Sequence, residues 1–160
     1  MIEYYSAFCM KEPWLELVLL KIKTLETRTK CLRKEGGPTV LASSLTIDEW
    51  AWNHPFIGGL LDATAKERAR KGLGKLRGFS PNMGGFRLGV PGVDDNAARI
   101  SIALDHGDVR WVAPFGDVQR IMEQSTVRVQ TRDGVEQIVP GASQGIFRVP
   151  RVYVRVVGNG

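Results

Sequence analysis

The chain has 160 residues, a formal net charge of +5, 43% hydrophobic and 24% charged residues. That is ordinary for a soluble domain, and long enough for one hydrophobic core. It holds no apolar run of bilayer-spanning length, no basic-then-apolar leader at its start and no Cys-x-x-Cys pair, so the expectation is a cytoplasmic protein with Cys9 and Cys31 as free thiols, no metal and no cofactor.

The excess charge is local. Lys66, Arg68, Arg70, Lys71, Lys75 and Arg77 lie in one segment with a single acid, Glu67, and the rest of the chain is neutral. Such a segment suits the backbone of a polyanion. A solvated helix face is the plainer alternative.

Glu3 to Met10 reads as a first strand. Pro13 suits the first turn of a helix whose apolar side carries Trp14, Leu17 and Val18. Lys21 to Lys23 turn the chain into a strand from Thr24 to Arg28. Its period of two puts Thr24, Glu26 and Arg28 on one face, with Lys23 at the mouth. Lys30 to Gly37 is a basic loop, and Thr39 to Ala42 a short strand ending at Ser43-Ser44. Thr46-Ile47-Asp48-Glu49 predicts a capped helix carrying Trp50 and Trp52 and stopped at His54-Pro55. Thr64-Ala65-Lys66-Glu67 predicts a second cap, opening the basic helix that Gly72 and Gly74 end.

Gly78 to Asp95 reads as a long loop with a short extended piece at Phe86 to Val90. Arg99 to Leu104 and Val109 to Phe115 predict a hairpin, and Gly116 to Gln124 a helical turn. Thr126 to Arg132 and Val135 to Val139 predict a hairpin about Asp133-Gly134. Gly145 to Val149 and Arg151 to Val157 add strands, with Val152, Val154 and Val156 facing inward. The sum is an α+β fold of about seven mostly antiparallel strands flanked by two or three helices. Closure into a small β-barrel would remove the sheet edges.

Three stretches carry a family resemblance: Glu12-Pro13-Trp14, then Lys21-x-Lys23-x-x-Glu26-x-Arg28, then Thr39 to Ser43. They resemble the ASCH domain of the PUA-like superfamily, which has a Gln-Pro-Trp-like helix start, a Gly-x-Lys-x-x-Glu-x-Arg motif and a strand ending in Ala-Ser. Gly141 to Phe147 is similar to the family's closing Gly-x-x-Gly-aromatic element. The resemblance covers residues 3–43 and 139–157. It implies one PUA-like domain over residues 1–160, with a basic helical and loop insertion at about 45–98. Lys21 stands where the family has glycine. A lysine held there in the left-handed conformation costs on the order of 1 kcal/mol.

What the resemblance implies is binding of RNA or single-stranded nucleic acid, or of a modified nucleoside. Lys23 and Arg28 would meet phosphate or a base edge, and Glu26 would accept from an amino group or hydroxyl. Trp14, or Trp50 and Trp52, would offer a stacking face, and Ser43 and Gln144 complete the expected ligand set. The basic segment would track the backbone. Some relatives hydrolyse N4-acylated cytidine and some cleave RNA. For such an enzyme Lys23, Glu26 and Thr24 are the catalytic candidates. The acylcytidine hydrolases, however, place a threonine where this chain has Glu26, and they use a second, distant glutamate that the sequence does not place. A protein-interaction adaptor that docks an acidic partner on the basic segment is a third possibility. An ion-pair network without function is the plain alternative for Lys23, Glu26 and Arg28.

Overall fold

The computed structural model describes residues 2–89, 111–143 and 145–158. In chain order its first half holds β1 (Tyr4–Glu12), α1 (Trp14–Leu19), β2 (Leu25–Arg28), β3 (Gly37–Ile47), α2 (Glu49–Asn53), α3 (Pro55–Gly59) and α4 (Ala63–Lys71). There follow β4 (Leu76–Met83), β5 (Arg87–Leu88), β6 (Trp111–Pro114), β7 (Gln119–Gln124), β8 (Val127–Thr131), β9 (Gly134–Ile138) and β10 (Phe147–Pro150). The fold is therefore α+β with mostly antiparallel strands.

Its centre is the parallel pair of β1 and β3, with Ala7 opposite Val40 and Cys9 opposite Ala42. A parallel pair needs a crossover, and α1 and β2 supply it. Val40-Leu41-Ala42 is fully buried, which explains why it reads as an unbroken apolar run. The main sheet runs β10-β1-β3-β4-β7, and β2-β6-β5 form a second sheet. Phe8, Met10 and Leu41 pack with Leu15 and Val18 of α1 on one face of the main sheet. Ala7, Val40 and Leu76 belong to a second apolar cluster. A third cluster joins Leu17 of α1 to Ala51, Ile57, Leu61 and Ala65 of the α2–α4 stretch. No helix among the described residues is long and apolar enough to cross a membrane.

No closed barrel is found among the described residues, where β10 and β7 are the outer strands of the main sheet, and several expectations are corrected. The chain beyond β10 only touches β7: the Met122 N–H donates to the Arg155 carbonyl at 2.8 Å and the Val157 N–H to that of Arg120 at 2.9 Å. Val152 and Val156, expected inside, are exposed. The supposed loop after Gly78 begins inside β4, a strand flanked by β3 and β7, so the stretch read as an insertion contributes to the middle of the sheet. A β-carbon at Gly78 would lie 2.7 Å from Leu19 Cδ2, so a larger residue there would have to move that side chain. Residues expected as a helical turn form β7 instead. The cap of α4 is Asp62, whose Oδ1 accepts from the Ala65 N–H at 2.8 Å, so the helix starts before Thr64. The hairpin partner expected at Arg99 to Leu104 lies outside the described residues.

The predicted β8–β9 hairpin forms, with Thr131 opposite Gly134. Two N–H groups of β8 that β9 does not take, those of Arg128 and Gln130, donate to the hydroxyls of Tyr153 at 3.0 Å and Tyr4 at 3.2 Å.

Candidate functional site

The site begins at the end of α1. The Ile22 N–H reaches back to the Leu17 carbonyl and the Lys21 N–H to that of Val18, both at 2.9 Å. This is the paired cap in which the turning residue must be left-handed. That residue is Lys21, with φ at 64°, so the strain expected from the missing glycine is present. The turn brings the Lys23 N–H to the Leu17 carbonyl at 3.1 Å and fixes where Lys23 enters β2.

Lys23 is only 2% exposed. Its Nζ donates to the Leu25 carbonyl at 2.5 Å, lies 3.9 Å from Glu26 Oε1 and sits 5.7 Å from the Trp14 ring centroid. Burial pulls its amine down to about 8; Glu26 opposes that shift and Arg28 adds to it. Glu26 is also buried. Its Oε2 takes Arg28 Nε at 3.1 Å and its Oε1 the Thr27 N–H at 3.1 Å. Arg28 continues to the Cys9 carbonyl at 2.7 Å and lies over the Phe8 ring. Strand period thus does unite Glu26 and Arg28 on one face. Cys9 Sγ donates to the Pro140 carbonyl at 2.7 Å, and burial pushes the thiol up to about 11, so it is inert at neutral pH.

A cleft of about 180 Å³ opens beside Lys23, lined by Lys21, Thr24, Phe115 and Asp117 over Val18 and Val118. Phe115 is tied to β2 by its N–H, which donates to the Thr24 carbonyl at 3.0 Å. Trp14 packs between two apolar clusters, and its Nε1 donates to Asp48 Oδ2, the cap of α2, at 2.9 Å. It therefore supports Lys23 from the core side. Ser43 lies outside the cleft lining: its hydroxyl donates to the Ser44 carbonyl at 3.3 Å, and its backbone is knit to Gly74 and Lys75. Gln144 lies outside the described residues.

The basic segment is split by the fold. Arg77, expected to contact phosphate, is only 2% exposed and is bound to Glu12 at 2.9 Å and Glu16 at 3.0 Å, so that expectation is corrected. Arg68 leans toward Glu16 at 3.6 Å, Lys75 toward Glu123 at 3.8 Å, and Lys71 pairs with Glu67 at 3.0 Å. Lys66 and Arg70 lie against the Trp52 ring at 5.9 and 4.9 Å. Trp50 is exposed, with its ring 5.2 Å from that of His54.

Sequence reasoning missed Glu12 and Glu16, both wholly buried. Their signal was available: Glu16 is the one acid inside an apolar helix, flanked by Leu15 and Leu17. A carboxylate there must find a cation. No group of three or more His, Cys, Asp or Glu side chains able to hold a metal occurs among the described residues. No family model matches the chain, and no curated protein is significantly similar to it.

Proposed function

We propose that the chain is an ASCH-type domain that binds RNA or another single-stranded nucleic acid in the cytoplasm, taking a base at the Lys23 cleft. The observation that carries this reading is the Lys23–Glu26–Arg28 chain, whose buried Lys23 lines an open cleft. Burying Lys23 and Glu26 side by side costs several kcal/mol per ion unless geometry repays it, and the spacing of Lys23, Glu26 and Arg28 is that of the family motif. The finer fold in this proposal is a PUA-like small barrel, with the contact of Val156 on β7 as its partial closure. Lys66, Arg70 and Lys71 would follow the phosphates, with Trp52 holding two of them in place. The test is fluorescence anisotropy with short labelled RNAs. Lys23→Met and Glu26→Gln should each weaken binding about tenfold or more, the scale of a lost charged contact. Affinity unchanged in both variants overturns the assignment of the site.

A second reading rests on Lys23 itself. An amine brought down to about 8 is neutral in about one-tenth of molecules at pH 7 and can act as a base. Beside Glu26 and Thr24 it suits hydrolysis of an N4-acylated cytidine or of RNA. Incubation with N4-acetylcytidine and with a short RNA decides this. Absence of turnover, or turnover equal in Lys23→Met, removes the enzyme reading.

A further inference from the structure

We infer that Arg68 and Arg120, steered by the buried Glu16, form a phosphate site beside the Lys23 cleft, so that the chain takes its ligand as a nucleotide or a phosphodiester strand and not as a free nucleoside. The link to the cleft rests on the base-binding reading above.

Glu16 stands between Leu15 and Leu17 on α1 and is wholly buried. Arg120 of β7 holds it with Nη1 on Oε1 at 3.0 Å and Nη2 on Oε2 at 2.7 Å, and Arg77 of β4 adds Nη2 on Oε1 at 3.0 Å. Arg68 of α4 meets Oε2 only at 3.6 Å, through an Nε that is shut off from solvent and has no hydrogen-bond partner. The charge of Glu16 is thus met before Arg68 is counted. Arg68, Arg77, Arg120 and Lys75 together face Glu12, Glu16 and Glu123, four cations against three carboxylates. Burial also pushes Glu12 up to about 7, which removes part of one negative charge near neutrality. The cluster therefore carries a positive surplus.

That surplus is reachable from one side. Arg77 is sealed in, with 1% of its side chain exposed, and Gly72 at the end of α4 lies so close to its guanidinium that no β-carbon would fit. The side chains of Arg68 and Arg120 are 42% and 32% exposed. Solvent meets two guanidiniums from different elements, both aimed by a carboxylate that it does not reach. A guanidinium takes phosphate oxygens in pairs, and one phosphate has oxygens enough for a fork from each arginine. Holding the forks in advance lowers the ordering cost of binding. Glu16 is the positioning residue of this site.

Its place beside the cleft gives the ligand class. Val118 lines the cleft and Arg120 follows two residues later, a span of at most about 7 Å. α1 likewise lends Val18 to the cleft and Glu16 to the arginines. A base seated in the cleft carries its own phosphate toward the pair. Arg120 lies outside the basic segment, so charge clustering along the sequence does not reveal it.

The experiment uses the full chain and a labelled heptauridylate, displaced by the four nucleosides and by their 5′-monophosphates and read by fluorescence anisotropy. Each monophosphate should compete about tenfold better than its nucleoside. Arg68→Gln costs no hydrogen bond at Nε and should bring that advantage to within about twofold. Lys34→Gln, an equal loss of charge on an exposed loop, should keep it. Arg120→Lys leaves Glu16 a cation and should act as Arg68→Gln does; melting temperatures accompany every variant, and Arg68→Gln decides alone if Arg120→Lys unfolds. Heptauridylates with a 5′-hydroxyl or a 5′-phosphate then identify the source of the phosphate. Affinity lost by Arg68→Gln for both strands assigns a phosphodiester, and affinity lost only for the phosphorylated strand assigns a terminal phosphate. Equal competition by nucleosides and monophosphates, or an advantage unchanged in Arg68→Gln, overturns this inference while base binding stands. An advantage lost in Lys34→Gln as well reduces it to net charge and also overturns it. Binding of neither the labelled strand nor any competitor overturns the base-binding reading and this inference with it. An advantage that needs Arg68 but survives Lys23→Met overturns the site given to Lys23 and leaves the phosphate site intact.

Discussion

Arg120 holds Glu16 with two parallel hydrogen bonds, Nη1 to Oε1 at 3.0 Å and Nη2 to Oε2 at 2.7 Å. Glu16 is wholly buried, and Arg77 adds a third bond at 3.0 Å. One carboxylate thus ties α1 to β4 and β7. Burial alone would raise its pKa, but Arg120 and Arg77 outweigh burial and hold it below the ordinary carboxylate value. Removing the carboxylate takes two bonds from Arg120 and one from Arg77, which keeps Glu12 and Glu123. Glu16→Ala should therefore destabilise the fold by about 3–5 kcal/mol in urea titration. A loss under about 1 kcal/mol would show that water replaces the carboxylate.

Glu12 has the opposite sign. Burial pushes its carboxyl up to about 7; Arg77 opposes that and the charge of Glu16 adds to it. One guanidinium serves Glu12, Glu16 and the more exposed Glu123 here, and Glu16 has Arg120 besides. The folded chain therefore keeps a proton that the unfolded chain releases near 4.5. Stability from this group is lost as pH rises from about 4.5 to 7. Glu12→Gln should raise stability at pH 8 by on the order of 2 kcal/mol and change little at pH 5. Urea titrations at the two pH values check it, and an equal effect at both would contradict it.

Lys21→Gly should stabilise the chain by about 1 kcal/mol, since glycine adopts the left-handed turn without a β-carbon clash. Lys21→Ala keeps the β-carbon and should bring no such gain. Thermal melts of the two variants side by side separate backbone relief from loss of charge.

The charge of the basic segment is best tested at Lys66, Arg70 and Lys71, because Arg68 and Arg77 also serve Glu16. Changing these three to glutamine should reduce the slope of log affinity against log salt by about 2, at roughly 0.7 per phosphate on a single strand. A slope equal to that of the wild type would remove the segment from the interface.

The sequence made local geometry legible and long-range pairing illegible. Glu26 and Arg28 meet because strand period alone brings them together, and the misfit at Lys21 was visible as a lysine in a glycine place. The β8–β9 hairpin followed from its turn residues. What failed depended on distant partners. Gly78 looks like a loop residue, yet it sits in β4 with Leu19 Cδ2 close against it. Arg77 looked like one more surface cation, and only the fold shows two buried glutamates waiting for it. Ser43 seemed close to the motif in sequence, but β3 turns its hydroxyl onto its own chain. The barrel was inferred from the need to protect edges, and the fold also protects one edge with side chains.

The two tyrosine hydroxyls on β8 supply that protection. The N–H groups of Arg128 and Gln130 would otherwise face outward as a template for a foreign strand. Tyr4 comes from the first strand and Tyr153 from beyond the last, so segments before and after the ribbon jointly insulate it. A strand arriving from a second molecule would first have to displace both rings. Resistance of this ribbon to edge-to-edge pairing therefore depends on both tyrosines staying docked, and undocking either ring would expose one of its N–H groups.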